Sequence, residues 1–261
     1  MGAWNSLKLL FSFFTVIPLK HTGSLDKAAG YLALTSVVGA FYGLLAGATL
    51  TVTGLLLPPL PSAALTLLVV NVFNGFLHMD GLVDFGDGLT AVGGREEKLR
   101  AMKDVHVGAG GVAVALLVTV SSLALYSSIP WVYALLSAFI VELACTNSML
   151  ACACAGKPSG SGLGSFFAEN VSWKDLLASL AISVALASLL FAASAHLLSL
   201  STSYELAPLI PLSLAVSVAV GLAVAYLSNR VFGCVTGDAL GACRELSRIP
   251  LLITVLVVTL A

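Results

Sequence analysis

Charge is what this sequence has least of. Lys and Arg number 12 and Asp and Glu 13 in 261 residues, so only 10% of the chain is charged, where a water-facing domain carries about 25%. That argues against a soluble globule. A net charge of −1 also removes the basic footprint by which a protein binds nucleic acid, so no nucleic-acid partner is expected. Cysteine is scarce and odd in number, at five. Cys152-Ala-Cys154 lacks the spacing of a zinc or dithiol pair, and all five cysteines read as reduced packing residues. No Ala-x-Ala site follows the apolar stretch Leu9–Pro18, and Met1-Gly2-Ala3-Trp4-Asn5-Ser6 fits only a loose acylation pattern. Neither a cleaved leader nor a lipid anchor is expected. Internal repeats and low-complexity tracts are missing as well, so residues 1–261 read as one domain.

What is present is apolar. Hydrophobic residues make up 59% of the chain and the mean hydropathy is +1.03. A spanning helix needs roughly 20 mostly apolar residues. Gly30–Leu57, Ala63–Met79, Gly111–Ile129, Trp131–Ala155, Leu176–Leu200 and Leu206–Leu227 each meet or approach that, while Ile249–Ala261 is short. The opening Trp4–Pro18 is also short and carries Lys8, which suits an interfacial or re-entrant helix. The expected fold is an all-α, polytopic integral membrane bundle of about six to seven spans plus that opening helix. The connections alternate long (His21–Ala29, Asp80–Gly110, Gly156–Asp175, Ser228–Arg248) and short (Pro58–Ser62, Pro130, Ser201–Glu205). Every Lys and Arg except Lys8 and Lys20 falls in a long one, which predicts a multi-pass cell-membrane protein with those loops, and any site built from them, facing the cytoplasm. Glycine-rich helix faces leave room for a homo-oligomer in the bilayer.

The most informative stretch runs Gly75-Phe-Leu-His78-Met-Asp80-Gly81-Leu-Val-Asp84-Phe-Gly-Asp87-Gly88. On a helix its three carboxylates fall on one face, within about 60° of one another. Three like charges repel, and the next basic residue in sequence is Arg95. A hard divalent cation resolves that conflict, and Mg²⁺ favours one or two carboxylates with waters or substrate phosphates in its other positions. Gly81, Gly86 and Gly88 weaken a plain helix but allow close approach of backbone and ligand. His78 lies on the face opposite Asp80 and is either a general base or a packing histidine.

Three further polar segments share that side of the membrane. Lys103-Asp104-Val-His106-Val-Gly108-Ala-Gly110-Gly111 puts glycine N–H groups and a lysine ahead of a helix, an arrangement suited to phosphate. Gly156–Phe166 is a glycine- and serine-rich loop with the same capacity. In the third, Thr236 reads as a helix N-cap and Asp238 as a first-turn acid, flanked by Arg230 and Arg244, with Gly237 and Gly241 as a close-packing pair. Glu142, mid-span with Asn147 nearby, marks function as an intramembrane acid facing the bundle interior, its partner unnamed by the sequence.

These motifs together resemble the cobalamin synthase family, the adenosylcobinamide-GDP ribazoletransferases. The family pattern G-x-L-H-x-D-G-L-x-D-x-x-D-G is met at Gly75, Leu77, His78, Asp80, Gly81, Leu82, Asp84, Asp87 and Gly88, and its T-G-D-x-L-G-A at Thr236, Gly237, Asp238, Leu240, Gly241 and Ala242. Phe11–Pro18 is similar to its opening and Gly162-Leu163-Gly164 to its G-L-G. One departure stands out: Asp104-Val-His106-Val-Gly108 replaces the family's Asp-Ser-Arg-x-Gly. The resemblance implies a membrane transferase that joins α-ribazole, or its 5′-phosphate, to adenosylcobinamide-GDP with release of GMP. It implies Mg²⁺ held by Asp80, Asp84 and Asp87 with Asp104 or Asp238 completing the shell, and His78 or one of the carboxylates as proton acceptor. Phosphates would be held by Lys103, His106, Gly108, Arg230, Thr236 and Arg244.

Two other classes compete. CDP-alcohol phosphotransferases also carry a membrane-edge Asp cluster, but their Asp-x-x-Asp-Gly-x-x-Ala-Arg is not met, since no Ala-Arg follows Asp84-Phe-Gly-Asp87-Gly88. Cation-coupled transporters place acids near the bilayer midplane within inverted repeats, whereas here the acids other than Glu142 sit at helix ends.

Overall fold

The computed structural model describes residues 2–22, 24–160, 162–198 and 207–260, and among these every regular element is helical. The α-helices are α1 (Ala3–Phe14), α2 (Thr35–Gly54), α3 (Pro59–Phe73), α4 (Leu77–Thr90), α5 (Arg95–Met102), α6 (Ala109–Ser127), α7 (Ala134–Ala155), α8 (Gly162–Asn170), α9 (Trp173–Leu198), α10 (Leu209–Val231) and α11 (Gly237–Leu260). Short 3₁₀ stretches at Leu25–Leu34 and Trp131–Tyr133 lead into α2 and α7.

Five segments are long and apolar enough to cross a bilayer: Ala28–Gly54, Ala109–Ser127, Trp131–Ala155, Trp173–Ser194 and Leu209–Val231. The pair α3 and α4 forms a sixth candidate, bent by 94°. The protein is therefore a multi-pass membrane bundle. The expected span Ala63–Met79 stops at Phe73, because Gly75 and Phe76 adopt left-handed backbone with φ of 62° and 59°. That elbow turns the chain, and the acidic motif starts a new helix instead of opening a loop. Gly156–Asp175 likewise holds α8. The expected loop Ser201–Glu205 lies outside the described residues.

The C-terminal expectation needs correcting as well. Ile249–Ala261 is not an isolated short span, and Ser228–Arg248 is not a loop. α11 is continuous through Pro250 and, at 24 residues, about 36 Å long. Arg244, Glu245 and Arg248 thus lie inside the bundle, not in a cytoplasmic connection.

α7 is the axis of the molecule. The most apolar stretch of Trp131–Ala155 is 94% buried, against 28% for that of α6 and 22% for that of α9, so α7 meets protein all round while the outer helices keep a lipid-facing side. It packs against α2, α9, α10 and α11. The α2 contact is close because Gly43 and Gly47 abut α7 backbone: a Cβ on Gly43 would stand 2.6 Å from the Phe139 carbonyl oxygen, and one on Gly47 2.5 Å from that of Leu135. Small residues at such crossings let dispersion and shape replace the hydrophobic drive that lipid does not supply.

The protein-lined axis is what lets Glu142 exist mid-helix. Arg244 Nη2 donates to Glu142 Oε2 at 2.7 Å and Arg248 Nε to Glu142 Oε1 at 2.8 Å. Arg244 Nη1 donates to Glu245 Oε1 at 3.0 Å, and Arg248 pairs with both Glu245 oxygens. Tyr126 donates its hydroxyl to Glu142 at 2.9 Å, and Tyr42 lays its ring 4.6 Å from the Arg244 guanidinium carbon. Two acids and two bases cancel, and every member is buried. A charge-balanced, hydrogen-bonded group is the form in which ionised side chains are tolerated in a dry interior.

Candidate active site

At the end of the bundle where α4, α6 and α11 meet, a cavity of about 340 Å³ opens between α1, α4, α7, α8 and α11. Its lining includes His78, Asp80, Lys103, Ser159, Thr236 and Asp238 among polar side chains, with Phe13, Phe14, Leu77, Met149, Phe167 and Leu240 as the apolar share.

Each wall follows from local sequence. α4 and α11 cross with almost no side chain between them: a Cβ on Gly81 would stand 3.1 Å from Asp238 Cα, and one on Gly241 3.3 Å from His78 Cα. The glycines that were expected to weaken a helix are instead its contact surface. Thr236 caps α11, its hydroxyl accepting the Ala239 N–H at 3.2 Å and facing the Met102 sulfur at 3.4 Å, which ties the start of α11 to the end of α5. Lys103 follows Met102 and so reaches the same cavity. Glu97 accepts the Gly94 N–H at 2.9 Å and Lys98 donates to the Leu89 and Ala91 carbonyls at 3.0 and 2.6 Å. These two contacts fix the α4–α5 turn by satisfying exposed helix ends. Gly164 lets α8 lie on Gly237: any Cβ there would overlap the Gly237 backbone nitrogen. The loop before α8 is clamped by Asn229, which accepts the Lys157 N–H at 2.9 Å and donates to the Ala155 carbonyl at 3.2 Å.

The expected metal and catalytic residues divide into two groups. Asp80 and Asp238 line the cavity, and Asp84, one turn beyond Asp80, sits close enough to feel the charges of Asp238, Asp80 and Asp87. Among the described residues none of Asp80, Asp84 and Asp238 is ion-paired. His78 is buried and lines the cavity, stacked on Phe14 with ring centroids 6.1 Å apart. Asp87 is different. Its two oxygens accept the backbone N–H groups of Gly108 and Gly111, each at 2.7 Å, so it caps α6 from a neighbouring helix. Gly108 therefore spends its N–H on Asp87 and not on a phosphate.

Other expected members lie elsewhere. Asp104 accepts the His106 N–H at 2.9 Å and meets its ring Nδ1 at 2.9 Å. Both side chains are exposed and neither lines the cavity. The His106 backbone N–H, and then its ring, hold the Asp104 carboxyl below its ordinary range. Arg230 is exposed in the last turn of α10, where it complements the helix dipole. Arg244 belongs to the buried quartet, its guanidinium committed to Glu142 and Glu245, and does not line the cavity. Of the expected phosphate-site residues, Thr236 and Lys103 line the cavity, and the N-terminus of α11 lines it beside them.

Sequence reading missed the aromatic wall. Phe13 and Phe14 on α1 lie 4.7 Å apart, and Phe167 on α8 lies 6.0 and 5.6 Å from them. The run Phe11-Ser-Phe-Phe14 was the visible signal. Among the described residues no three His, Cys, Asp or Glu side chains converge tightly enough to hold a metal ion on their own. Mg²⁺ does not require that, since one or two carboxylates with waters and substrate phosphates satisfy it. Oxygen donors at Asp80, Asp84 and Asp238, none of them in an ion pair among the described residues, fit such an ion.

The fold and site together define a polytopic membrane protein with a carboxylate- and lysine-lined cavity at one end of its helical bundle. The Cobalamin-5-phosphate synthase family profile matches residues 6–257, and the chain belongs to that family. It is 33% identical over 256 residues to an adenosylcobinamide-GDP ribazoletransferase of Methanocella arvoryzae, covering 94% of this chain and 92% of the relative. It is 33% identical over 270 residues to one of Methanosarcina mazei, covering 95% and 90%, and 41% identical over 108 residues to one of Saccharolobus islandicus, covering 41% and 42%. No solved structure matches.

Proposed function

We propose that the chain joins α-ribazole, or its 5′-phosphate, to adenosylcobinamide-GDP and releases GMP. Family membership and the relatives' names support this nucleotide-loop assembly step of cobamide synthesis. The observation that carries the chemistry is that Asp80 and Asp238, from two crossing helices, share one cavity with Lys103 and the α11 N-terminus. Displacement at phosphorus depends mainly on positioning and charge neutralisation. The ribose 3′-oxygen forms the new bond to the cobinamide-bearing phosphorus, the bond from that phosphorus to GMP breaks, and GMP leaves as an anion. The hydroxyl proton passes to His78 or a cavity carboxylate. Lys103 and the N–H groups at the start of α11 hold phosphate oxygens. Mg²⁺ held by one or two of Asp80, Asp84 and Asp238, with water and substrate phosphates in its other positions, would neutralise charge developing on the leaving oxygen.

Lys98, Lys103, Lys157 and Arg230 lie at the cavity end of the bundle, which supports a cytoplasmic active site. The test is direct. Detergent-solubilised protein is incubated with both substrates and Mg²⁺ or EDTA, and GMP and corrinoid product are followed. Mg²⁺-dependent formation of both is expected; folded protein that makes neither under any divalent metal overturns the reading.

A further inference from the structure

Among the described residues α10 supplies none of the cavity lining, yet it decides where one wall stands. Asn229, in its last turn, accepts the Lys157 N–H at 2.9 Å and donates to the Ala155 carbonyl at 3.2 Å. Ala155 ends α7, and its carbonyl is one of those a helix leaves without an internal partner. The amide therefore caps α7 and turns the chain that leaves it. That chain next runs beside the segment entering α11. The Lys157 carbonyl accepts the Val235 N–H at 2.8 Å, and Pro158 pairs with Val235 in a parallel bridge. Gly156 makes room for the pairing, since a Cβ there would stand 2.6 Å from Val235 Cγ2. One residue further along each segment come Ser159 and Thr236, and both line the cavity.

We propose that Ser159 is a substrate contact, its hydroxyl donating to a phosphate oxygen, and that Asn229 is its positioning residue. The inference deepens the reaction proposed above and rests on it. An ionised phosphate offers acceptors alone, so the wall that holds it has to supply donors. Among the polar lining side chains, Asp80 and Asp238 bring acceptors, and His78 is buried and stacked on Phe14. The Thr236 hydroxyl is engaged within the protein, accepting the Ala239 N–H and donating to the Met102 sulfur. Lys103 and Ser159 are the lining side chains that bring a donor to the two sides of Thr236: one follows Met102, the other follows the Pro158–Val235 bridge. A serine hydroxyl rotates about its Cβ–Oγ bond, so it can turn to a phosphate from any partner it has within the protein. What it cannot do is move its own Cβ. Upstream, that position is set by the backbone that Asn229 holds at Ala155 and Lys157. Downstream, it is set by Gly160, which turns the chain with φ of 81° and donates its N–H to Ser165 of α8 at 2.9 Å.

The experiment measures kcat and KM for adenosylcobinamide-GDP, α-ribazole 5′-phosphate and α-ribazole, with unfolding midpoints in detergent, for wild type, Ser159→Ala, Asn229→Ala and the double variant. Ser159→Ala is expected to keep the wild-type midpoint and to raise KM for one phosphate-bearing substrate roughly 10- to 100-fold, the scale of a hydrogen bond to a charged group. A rise for adenosylcobinamide-GDP assigns the hydroxyl to the diphosphate. A rise for α-ribazole 5′-phosphate but not for α-ribazole assigns it to the acceptor's phosphate, and an equal rise for both acceptors overturns the phosphate contact. Asn229→Ala is expected to raise the same KM, and to add little to it once Ser159 is alanine, because residues that act through one another are not additive. Unchanged kcat and KM in Ser159→Ala overturn the contact. An Asn229→Ala effect of the same size with and without the Ser159 hydroxyl overturns the positioning role, as does a lowered midpoint with unchanged KM. Folded wild type that makes no product instead overturns the reaction, and this inference with it. Should Asn229→Ala fail to fold, Asn229→Asp, which keeps the acceptor for Lys157 and loses the donor to Ala155, takes its place in the same comparison.

Discussion

Asp87 of α4 accepts the Gly111 N–H of α6 at 2.7 Å, while its other oxygen accepts that of Gly108 at the same distance. The last carboxylate of the acidic motif is thus spent on joining two helices. Its neighbours Asp80 and Asp84 carry no comparable bond to backbone N–H groups among the described residues. The motif reads as one chemical unit in sequence and divides into two functions in space.

That division is measurable. Asp87→Ala removes both acceptors and should cost about 1–2 kcal/mol of stability, as loss of a helix cap does, with Asp87→Asn milder because an amide oxygen still accepts one bond. Asp84→Asn should stay within about 0.5 kcal/mol of wild type, as for most substitutions away from packing and capping contacts, yet abolish turnover. Thermal unfolding in detergent beside GMP release checks the pair. Near-normal activity in Asp84→Asn removes that residue from the metal site.

The buried quartet makes a charge-balance prediction. Glu142→Gln leaves two arginines against Glu245 alone and should destabilise by about 3–5 kcal/mol, the usual result of stranding one buried charge. Glu142→Leu combined with Arg248→Leu keeps Arg244 paired with Glu245 and should cost less than the single change. Unfolding midpoints decide it, and a double variant less stable than Glu142→Gln contradicts the balance argument.

Gly164→Ala should separate α8 from α11. The added Cβ meets backbone, the Gly237 nitrogen and Thr236 carbonyl carbon, which cannot rotate away, and overpacking of this kind costs about 1–3 kcal/mol. Because the displaced surface is a cavity wall, kcat/KM should fall by at least about 10-fold, the scale on which small misplacements affect catalysis. Gly2→Ala, which meets nothing within 4 Å, is the control and should be silent in the same activity assay.

Lys103→Met keeps the side chain's length and removes its charge. Hydrogen bonds to charged groups contribute about 1.5–3 kcal/mol, so KM for a phosphate-bearing substrate should rise roughly 10- to 100-fold. Comparing α-ribazole with its 5′-phosphate shows which phosphate the lysine holds: a rise for the phosphorylated acceptor alone assigns it there, and a rise for adenosylcobinamide-GDP assigns it to the diphosphate. No rise for either removes Lys103 from the phosphate site.

Much of this was legible in the chain. Long apolar runs located α2, α6, α7, α9 and α10, because lipid demands a continuous hydrophobic segment. Helical spacing put Asp80 and Asp84 on one face, and Thr236 was readable as a cap from its place before Gly237 and Asp238. Arg244 was misread because charge suggests a loop, and only the fold shows that it meets Glu142, 102 positions away. Asp87 and Gly108 were read as separate ligands when they bind each other. The aromatic wall was only half legible, since Phe11-Ser-Phe-Phe14 is visible in sequence but Phe14 and Phe167 become neighbours only when α1 packs on α2 and α8 on α11.

The arginines of α11 also bear on how the chain enters the membrane. On insertion scales a lone arginine at the middle of a helix costs about 2.5–3.5 kcal/mol, so Arg244 and Arg248 together oppose partitioning of α11 by roughly 5–7 kcal/mol. α7 is apolar enough to cross a bilayer in spite of Glu142, and it offers α11 the acid that, with Glu245, balances those two charges. Burial against α7 is therefore what offsets the cost of placing α11 among the spanning helices.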